Sequence, residues 1–389
     1  MAVGIRAAGL DVERVVSETE DGSRTSTEGC WLRTDVLSGT RTFTFLAVST
    51  PAPIGVLLLQ LGTPDSTSVA DVRRYLREFL SDPRVIDIPA PARWLLLNAV
   101  ILPFRPRRSA EAYEKIWTEE GSPLLLHTEE FARRLGEELG PDYRVAVGMR
   151  YRLPRISDAL AELTAAGCDR LVALPLFPQY ASASTGSAVA EALRLISRQP
   201  NVVPVATVGA FYADGGYLQS VAEVARQALV DFAPDHVLFS YHGLPESQIR
   251  RSESQPGWCL SRPDCCAAVT AANRFCYRAQ SYATTAGVAA ILGLNQDGSS
   301  TSFQSRLKGQ KWIEPYTDYE LPRLYQQGVR RLAVLTPSFV ADCLETLEEI
   351  GIRGRQQWAD LGGEAFMLVP CVNVDPRWVK AAADLVRGS

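Results

Sequence analysis

The alternation of apolar runs with helical stretches constrains the fold of this chain more than any other feature. From Ile54 onward, runs of strand length recur, and the first, IGVLLLQLG at 54–62, ends in a Gly-Thr-Pro-Asp turn. Such a near-continuous apolar run is typical of a parallel strand that is buried on both faces. The later runs span residues 143–151, 170–178, 202–209, 236–243, 331–339 and 365–373.

Helical stretches of ordinary length, such as ISDALAELTAAG at 156–167, lie between most of these runs. Strand, helix and strand in this order predict βαβ units, and therefore an α/β, doubly wound architecture. Two such sets, divided near residue 205, indicate two similar domains, at 54–205 and 206–375. Residues 1–53 show no sustained period and are rich in Ser, Thr, Gly and charge. They are expected to be a disordered extension, or to reflect a start codon assigned too far upstream.

Charge and composition exclude several classes of protein. The formal net charge of −4 over 389 residues gives no basic footprint for nucleic acid. No apolar run reaches the length of about 18 residues that a membrane span needs. The charged start is unlike a signal peptide, so the cytoplasm is the expected location, and cysteines there favour ligands or free thiols over disulfides. The turn GTPD at 62–65 lacks the glycine spacing of a nucleotide-binding loop.

His242 is the first candidate for chemistry. It closes the apolar run HVLFSYH and is followed by Gly243, Leu244 and Pro245, which break a strand. In an open parallel sheet, the carboxyl ends of the strands face the ligand crevice. An imidazole in that position is suited to acid–base work or to metal binding, and the alternative is a half-buried histidine in a turn.

Three carboxylates follow the run RLAVLTPSF. Asp342, Glu345 and Glu349 are spaced i, i+3, i+7, which predicts one stripe on a helix over 341–352. Stacked like charges destabilise a helix, so the stripe either faces solvent or serves a site. In a cleft, such carboxylates raise one another's pKa and can hold protons or a hard cation.

Four cysteines lie within 18 residues of each other, in the polar segment 257–281: Cys259, Cys265, Cys266 and Cys276. Thiolates suit zinc or an iron–sulfur centre. The spacing is not that of a zinc ribbon, and the adjacent pair disfavours a tight single-metal site but not a two-iron cluster. Free or redox-active thiols are the alternative.

These segments together resemble the ferrochelatase family, lyases that insert Fe²⁺ into a porphyrin in the terminal step of heme biosynthesis. The resemblance spans roughly residues 54–388. It rests on LGTPDSTSVADVRRYLREFLSDPRVIDIP, RPRRSAEAYEKIWTEEGSPLLLHT, MRY, LPLFPQYASASTGSA, FSYHGLPE, SFQSRLKGQKWIEPYTD and LTPSFVADCLETLEEIG. It implies two Rossmann-like domains with a porphyrin cleft between them, the first completed by the C-terminal helix at 376–388.

The resemblance also implies site residues. His242 and Glu345 match the catalytic pair that meets Fe²⁺, and Asp342 and Glu349 match an acidic track for protons or metal. The positions that match porphyrin-binding groups are Leu61, Arg108, Ser122, Arg150, Tyr151 and Trp312. Among these, Arg108 and Ser122 match groups that bind the propionates.

The cysteine segment resembles an insert that carries a 2Fe–2S cluster in bacterial members, which implies Cys259, Cys265, Cys266 and Cys276 as its ligands. The chain departs from the family at three positions. Gln60 stands where bacterial members usually have Asn, Cys343 replaces a histidine of animal members, and Ser281 stands where another Cys is often found.

The implied function is insertion of Fe²⁺ into protoporphyrin IX to form protoheme. The alternatives are insertion into coproporphyrin, a cobalt or nickel chelatase of the same fold, and a non-catalytic heme carrier or iron–sulfur sensor. The run WLLLNAVILPF at 94–104 is either an apolar lip that touches the inner membrane surface peripherally or an ordinary buried helix. The sequence makes no prediction of oligomeric state.

Overall fold

The computed structural model describes residues 14–18, 24–28, 30–32, 44–46, 51–295, 297–307 and 309–389. The chain divides into two units, Met1–Ala52 and Pro53–Ser389. In the first unit, β1 (Arg14–Glu18) pairs antiparallel with β2 (Arg24–Glu28), and β3 (Cys30–Leu32) pairs antiparallel with β4 (Thr44–Leu46). The prediction of disorder over 1–53 falls largely on residues outside the described part and stays a prediction.

The second unit begins with a four-stranded parallel sheet. Its strands are β5 (Ile54–Gly62), β6 (Tyr143–Tyr151), β7 (Arg170–Pro175) and β8 (Val205–Thr207), in the order β6-β5-β7-β8. Its helices are α1 (Val69–Ser81), α2 (Ala90–Leu95), α3 (Leu102–Glu114), α4 (Pro123–Leu139), α5 (Ile156–Ala165) and α6 (Ser187–Ile196). Leu96–Ile101 and Ser182–Gly186 form π-helical turns.

A second four-stranded parallel sheet follows, in the order β10-β9-β11-β12. Its strands are β9 (His236–His242), β10 (Ser299–Gln304), β11 (Arg331–Leu335) and β12 (Ala365–Leu368). The helices are α7 (Gly215–Leu229), α8 (Glu246–Arg251), α9 (Tyr277–Leu292), α10 (Thr317–Gln326), α11 (Arg355–Asp360) and α12 (Pro376–Arg387), with a π-helical segment at Glu345–Gly354. The predicted α/β fold with parallel sheets flanked by helices is therefore confirmed.

Both sheets share one topology, in which the first strand lies between the second and the third. In each sheet, the second strand lies on one side of the first strand and the third strand lies on the other side. The strand order therefore reverses at β5 and at β9, and the carboxyl ends of these two strands are topological switch points. Ligands of open α/β sheets bind beside such points. His242 is the last residue of β9 and therefore lies at a position where this fold places binding sites.

The strand bounds differ from the sequence prediction in an instructive way. β5 and β6 match the predicted runs, whereas β11 and β12 end well before their runs do. β10 was missed, because its sequence SSTSFQ begins with four hydroxyl residues and shows no apolar run. It pairs with β9 along its whole length, so the partner strand and burial override its weak intrinsic preference.

The last helix, α12, packs against both α4 and α7. Its Trp378 is fully buried and stacks on Phe131 of α4 and on Phe211, with ring centroids 5.5 and 5.4 Å apart. The predicted domain boundary near residue 205, and the assignment of the last helix to the first domain, stay predictions. Across the described residues, no helix is both long and apolar enough to cross a membrane.

Candidate active site

His242 is held in one orientation at the carboxyl end of β9. Its Nδ1 lies 2.6 Å from the carbonyl oxygen of Gly243, and its backbone N–H donates to Ser338 Oγ at 3.2 Å. Because a carbonyl oxygen can only accept, Nδ1 carries the proton of the neutral imidazole. The lone pair of the half-buried ring therefore sits on Nε2, where it can accept a proton or bind a metal ion.

Gly243 keeps this strand end close to its neighbours. A Cβ atom at this position would lie 2.7 Å from the carbonyl oxygen of Gln304 and 3.3 Å from Cε3 of Trp312. Glycine is therefore required for the close approach. The same contact places Trp312, a predicted porphyrin-binding residue, directly beside the strand end. Trp312 is buried, and its indole N–H finds no acceptor among the described residues.

Gln304 connects His242 to Glu345 and was not identified from the sequence. It lies opposite His242 in the β9–β10 register. Its Nε2 donates to the carbonyl oxygen of Glu345 at 2.7 Å, and its Oε1 accepts a hydrogen bond from Ser240 at 2.8 Å. Gln304 is therefore next to His242 in the sheet and is bonded to the backbone of Glu345.

The structure corrects the predicted stripe of three carboxylates. Asp342 precedes the helix, and the segment from Glu345 is π-helical, so the three residues do not share one stripe of an α-helix. The Asp342 carboxylate accepts hydrogen bonds from Thr346 Oγ1 at 3.0 Å, from Asn373 Nδ2 at 2.7 Å and from the Cys371 N–H at 3.4 Å. A carboxylate that accepts hydrogen bonds from several neighbouring groups stabilises the local turn.

Glu349 also accepts hydrogen bonds from strong donors, whereas Glu345 meets only the weak donor of the Cys343 thiol. The Glu349 carboxylate accepts hydrogen bonds from the N–H and Oγ of Ser305 at 2.8 and 2.5 Å. Within the described part of the chain, no N–H or O–H group donates to the carboxylate of half-buried Glu345. It lies close to Tyr75 of α1 and Tyr113 of α3, whose pKa values are raised by burial and further by nearby charge, including that of Glu345. Glu345 is therefore the carboxylate that is free to act on a ligand.

Arg150 and Tyr151 converge on Asp82, a second residue that was not identified from the sequence. Arg150 Nη2 and the Tyr151 hydroxyl donate to Asp82 Oδ2 at 2.7 and 2.9 Å, and Arg150 Nε donates to Ser187 Oγ at 2.7 Å. Burial alone would raise the pKa of Asp82. Hydrogen bonds from Ser187, from the Arg84 N–H and from Tyr151 outweigh it, so the pKa lies below its ordinary value.

The remaining predicted porphyrin-binding residues occupy different environments. Leu61 is partly buried in an apolar cluster with α1 and α3, which Leu344 also joins. Ser122 is buried, and its hydroxyl lies 2.8 Å from Thr63 Oγ1. Arg108 is exposed on α3 and forms no ion pair with any described residue.

An exposed apolar surface runs along α2, the π-helical turn and α3. Its large side chains are exposed to 67% for Trp94, 59% for Leu95, 54% for Val100 and 73% for Phe104. We call these four residues the apolar lip. The alternative of an ordinary buried helix is wrong, because only Leu97 and Leu102 of the run are fully buried.

The four clustered cysteines are all buried and free. Cys265 Sγ lies 3.7 Å from Cys266 Sγ. Cys276 is in contact with Cys259, whose pKa burial raises, and with Cys266, whose pKa is raised first by that contact and then by burial. No group of three or more His, Cys, Asp or Glu among the described residues has the arrangement of a metal site.

Even so, the cysteine set fits thiolate chemistry. Two sulfur ligands of one tetrahedral metal, at metal–sulfur bonds of about 2.3 Å, lie roughly 3.8 Å apart. The separation of Cys265 and Cys266 is close to that value. A cluster of two irons takes four cysteine thiolates as ligands, and the segment supplies four buried cysteines.

Comparison with known proteins gives concordant matches. The family model described as Ferrochelatase matches residues 53–389. The protein named ferrochelatase from Coxiella burnetii strain CbuK_Q154 is 47% identical over 344 residues, which cover 88% of this chain and 96% of that protein. The one from Legionella pneumophila strain Lens is 47% identical over 332 residues, covering 85% and 98%.

Among solved structures, SirB from Bacillus subtilis with Fe³⁺ gives a TM-score of 0.49 at 11% identity, covering 86% of this chain and 94% of that one. A likeness of this size does not bear on function. The family match, in contrast, covers every predicted site residue, from Leu61 to Glu349.

Proposed function

This chain belongs to the ferrochelatase family, and on that premise we propose that it inserts Fe²⁺ into protoporphyrin IX to form protoheme. The observation that carries the proposal is that the His242 imidazole and the Glu345 carboxylate, two groups with few partners, belong to residues next to Gln304. His242 presents a free Nε2 lone pair, and the carboxylate of Glu345 meets the Cys343 thiol but no N–H or O–H donor among the described residues. Metal insertion needs both a proton acceptor and a group that stabilises positive charge.

The proton balance assigns the roles. A porphyrin loses two pyrrole protons when it accepts Fe²⁺, so the site has to take up two protons per turnover. His242, as a neutral imidazole protonated on Nδ1, accepts the first proton on Nε2 or passes Fe²⁺ to the ring. Glu345, whose backbone carbonyl is bonded to Gln304, accepts the second proton on its carboxylate.

Glu349 provides a route for protons away from Glu345. Its carboxylate is bonded to Ser305, and it lies 3.9 Å from the guanidinium of the largely exposed Arg353. Asp342, with all its hydrogen bonds satisfied, supports the start of this helix and keeps the negative charge behind Glu345. The acidic track is therefore proposed to run from Glu345 to Glu349, with Asp342 as its support.

Porphyrin binding is proposed to use both halves of the unit. Trp312 flanks the macrocycle next to His242, and Leu61 lies at its edge. The unpaired guanidinium of Arg108 binds a propionate by charge-assisted hydrogen bonds, with Ser122 as a second polar group. Arg150 and Tyr151 meet the far side of the ring.

Cys259, Cys265, Cys266 and Cys276 are proposed to hold a 2Fe–2S cluster. When bound, such a cluster would supply folding energy through its thiolate bonds. We expect Cys265→Ser to abolish the visible absorbance of the purified protein, and Cys168→Ser, outside the segment, to leave it unchanged. An identical spectrum for the Cys265 variant would refute the assignment.

We propose that the protein is cytoplasmic and that its apolar lip touches the inner membrane surface. Exposed aromatic and aliphatic side chains, next to the exposed Arg105, Arg107 and Arg108, fit an anionic bilayer. We expect the wild type to sediment with vesicles containing anionic lipid, and a Trp94→Ser/Phe104→Ser variant to remain in the supernatant. Equal sedimentation of the two proteins would contradict a role of the apolar lip in membrane contact.

The substrate is tested by parallel turnover. Purified protein is given Fe²⁺ with protoporphyrin IX or with coproporphyrin under anaerobic conditions, and the loss of porphyrin fluorescence is followed. The proposal predicts the higher kcat/KM for protoporphyrin. Faster turnover of coproporphyrin would indicate that coproporphyrin is the substrate. Tight heme binding without metalation would indicate that the protein is a heme carrier.

A further inference from the structure

We infer that Asp82 is a positioning residue for iron insertion, acting through Arg150. The inference rests on the proposed function, because it takes Arg150 to face the porphyrin. It concerns a residue to which no role in the reaction was assigned above. The evidence is a buried polar cluster in which three distant segments meet.

One of the three segments supplies the carboxylate, and the other two donate hydrogen bonds to it. Asp82 directly follows α1, Arg150 and Tyr151 end β6, and Ser187 begins α6. Arg150, Tyr151 and Ser187 all donate to Asp82 Oδ2, while the Arg84 N–H donates to Oδ1 at 2.7 Å. Both oxygens of Asp82 thus accept hydrogen bonds from the protein itself, and Asp82 is buried, so it is not available to a ligand.

The guanidinium of Arg150 is fixed on one side only. Nη2 is bonded to Asp82 and Nε to Ser187, whereas Nη1 has no acceptor among the described residues. The Asp82 side chain is 4% exposed and that of Arg150 is 22% exposed. The carboxylate is therefore the inner anchor, and the free Nη1 edge of Arg150 is the outer end that can meet substrate.

The pairing also sets the local charge. An unpaired guanidinium next to the ring would repel incoming Fe²⁺, while an Arg150–Asp82 pair is neutral overall. Because a planar guanidinium bonded through two nitrogens cannot rotate, the pair presents Nη1 in one direction. Asp82 therefore supplies both the orientation and the charge balance of this wall of the site.

A double-mutant cycle tests the inference. We compare Asp82→Asn, Arg150→Gln and the double variant for kcat/KM with Fe²⁺ and for the Kd of protoporphyrin, measured by fluorescence quenching. If Asp82 acts through Arg150, each single change lowers kcat/KM about tenfold, and the double variant is no worse than Arg150→Gln. Multiplied effects, about a hundredfold in the double variant, would overturn the inference.

A matched control separates positioning from stability. Glu320 is also a buried carboxylate paired with an arginine, Arg323, away from this cluster. Glu320→Gln is expected to lower the melting temperature without changing kcat/KM. Asp82→Asn behaving in the same way would overturn the positioning role.

The cycle also distinguishes this inference from the proposed function. If the wild type fails to insert iron but binds porphyrin, the function fails, and the Kd values of the four proteins still test the coupling of Asp82 with Arg150. If the wild type binds no porphyrin, both fail.

Discussion

The three carboxylates predicted from one spacing differ in what surrounds them. Asp342 and Glu349 accept hydrogen bonds from neighbouring groups, whereas no described N–H or O–H group donates to Glu345. Residue type and spacing identified all three, but only the hydrogen-bond partners separate a supporting carboxylate from a reactive one. Gln304 and Asp82 escaped sequence analysis for the same reason, since their roles depend on partners far away in the chain.

This difference predicts that one conservative substitution impairs catalysis and that another impairs stability. Glu345→Gln removes the free charge and is expected to lower kcat by about 100-fold or more, with little change in stability. Asp342→Asn loses a saturated acceptor and is expected to lower the free energy of unfolding by about 1–3 kcal/mol. Steady-state kinetics and urea unfolding of both variants check this. Equal kinetic defects would contradict the separation of roles.

Asp82 predicts a pH dependence of stability. Its folded pKa lies below the unfolded value of about 3.9, so its contribution is full above that value and is lost as the pH falls through the folded pKa. Urea unfolding of the wild type should therefore lose stability below about pH 4 more steeply than that of Asp82→Asn. Parallel slopes for the two proteins would contradict this.

At the scale of elements, the ends of the strands bear on function more than the strands themselves. The apolar runs predicted seven of the eight strands of the second unit, and hence the sheet in which His242 terminates. They did not predict β10, whose hydroxyl-rich sequence resembles a loop, nor the π-helical start at Glu345, whose i→i+5 hydrogen bonds leave no simple mark in the sequence. Both missed features meet at Gln304, so the sequence predicted candidate site residues but not the residue that connects two of them.

Gly243→Ala tests the strand end. The new Cβ would lie 2.7 Å from the Gln304 carbonyl oxygen, so the backbone next to His242 has to shift. A displacement of about 1 Å can cost roughly 100-fold in rate, and we expect a fall in kcat of between about 10- and 100-fold. Gly215→Ala, at a position where a Cβ meets nothing within 4 Å, is the control and should retain activity. Full activity of the Gly243 variant would mean that this close approach is not required.

At the scale of the whole second unit, the two sheets repeat one strand order, and α12 packs on helices that flank both of them. The alternation of elements predicted this architecture, but the packing of the last helix depends on aromatic contacts that no local pattern encodes.

Trp378→Ala should therefore lower the free energy of unfolding by about 3–5 kcal/mol, because it empties a fully buried site between Phe131 and Phe211. Trp94→Ala, on the exposed lip, should change it by less than about 0.5 kcal/mol. Denaturant unfolding of both variants makes the comparison, and similar losses would contradict the role of α12.

The most direct test of the central claim is anaerobic insertion of Fe²⁺ into protoporphyrin IX, followed by the loss of porphyrin fluorescence. It compares the wild type with His242→Ala and with His236→Gln, a buried histidine at the other end of β9 that is bonded to Ser300 and to the Asp297 carbonyl oxygen. The account predicts turnover by the wild type and the His236 variant, and none by the His242 variant. Undiminished insertion by His242→Ala would contradict it.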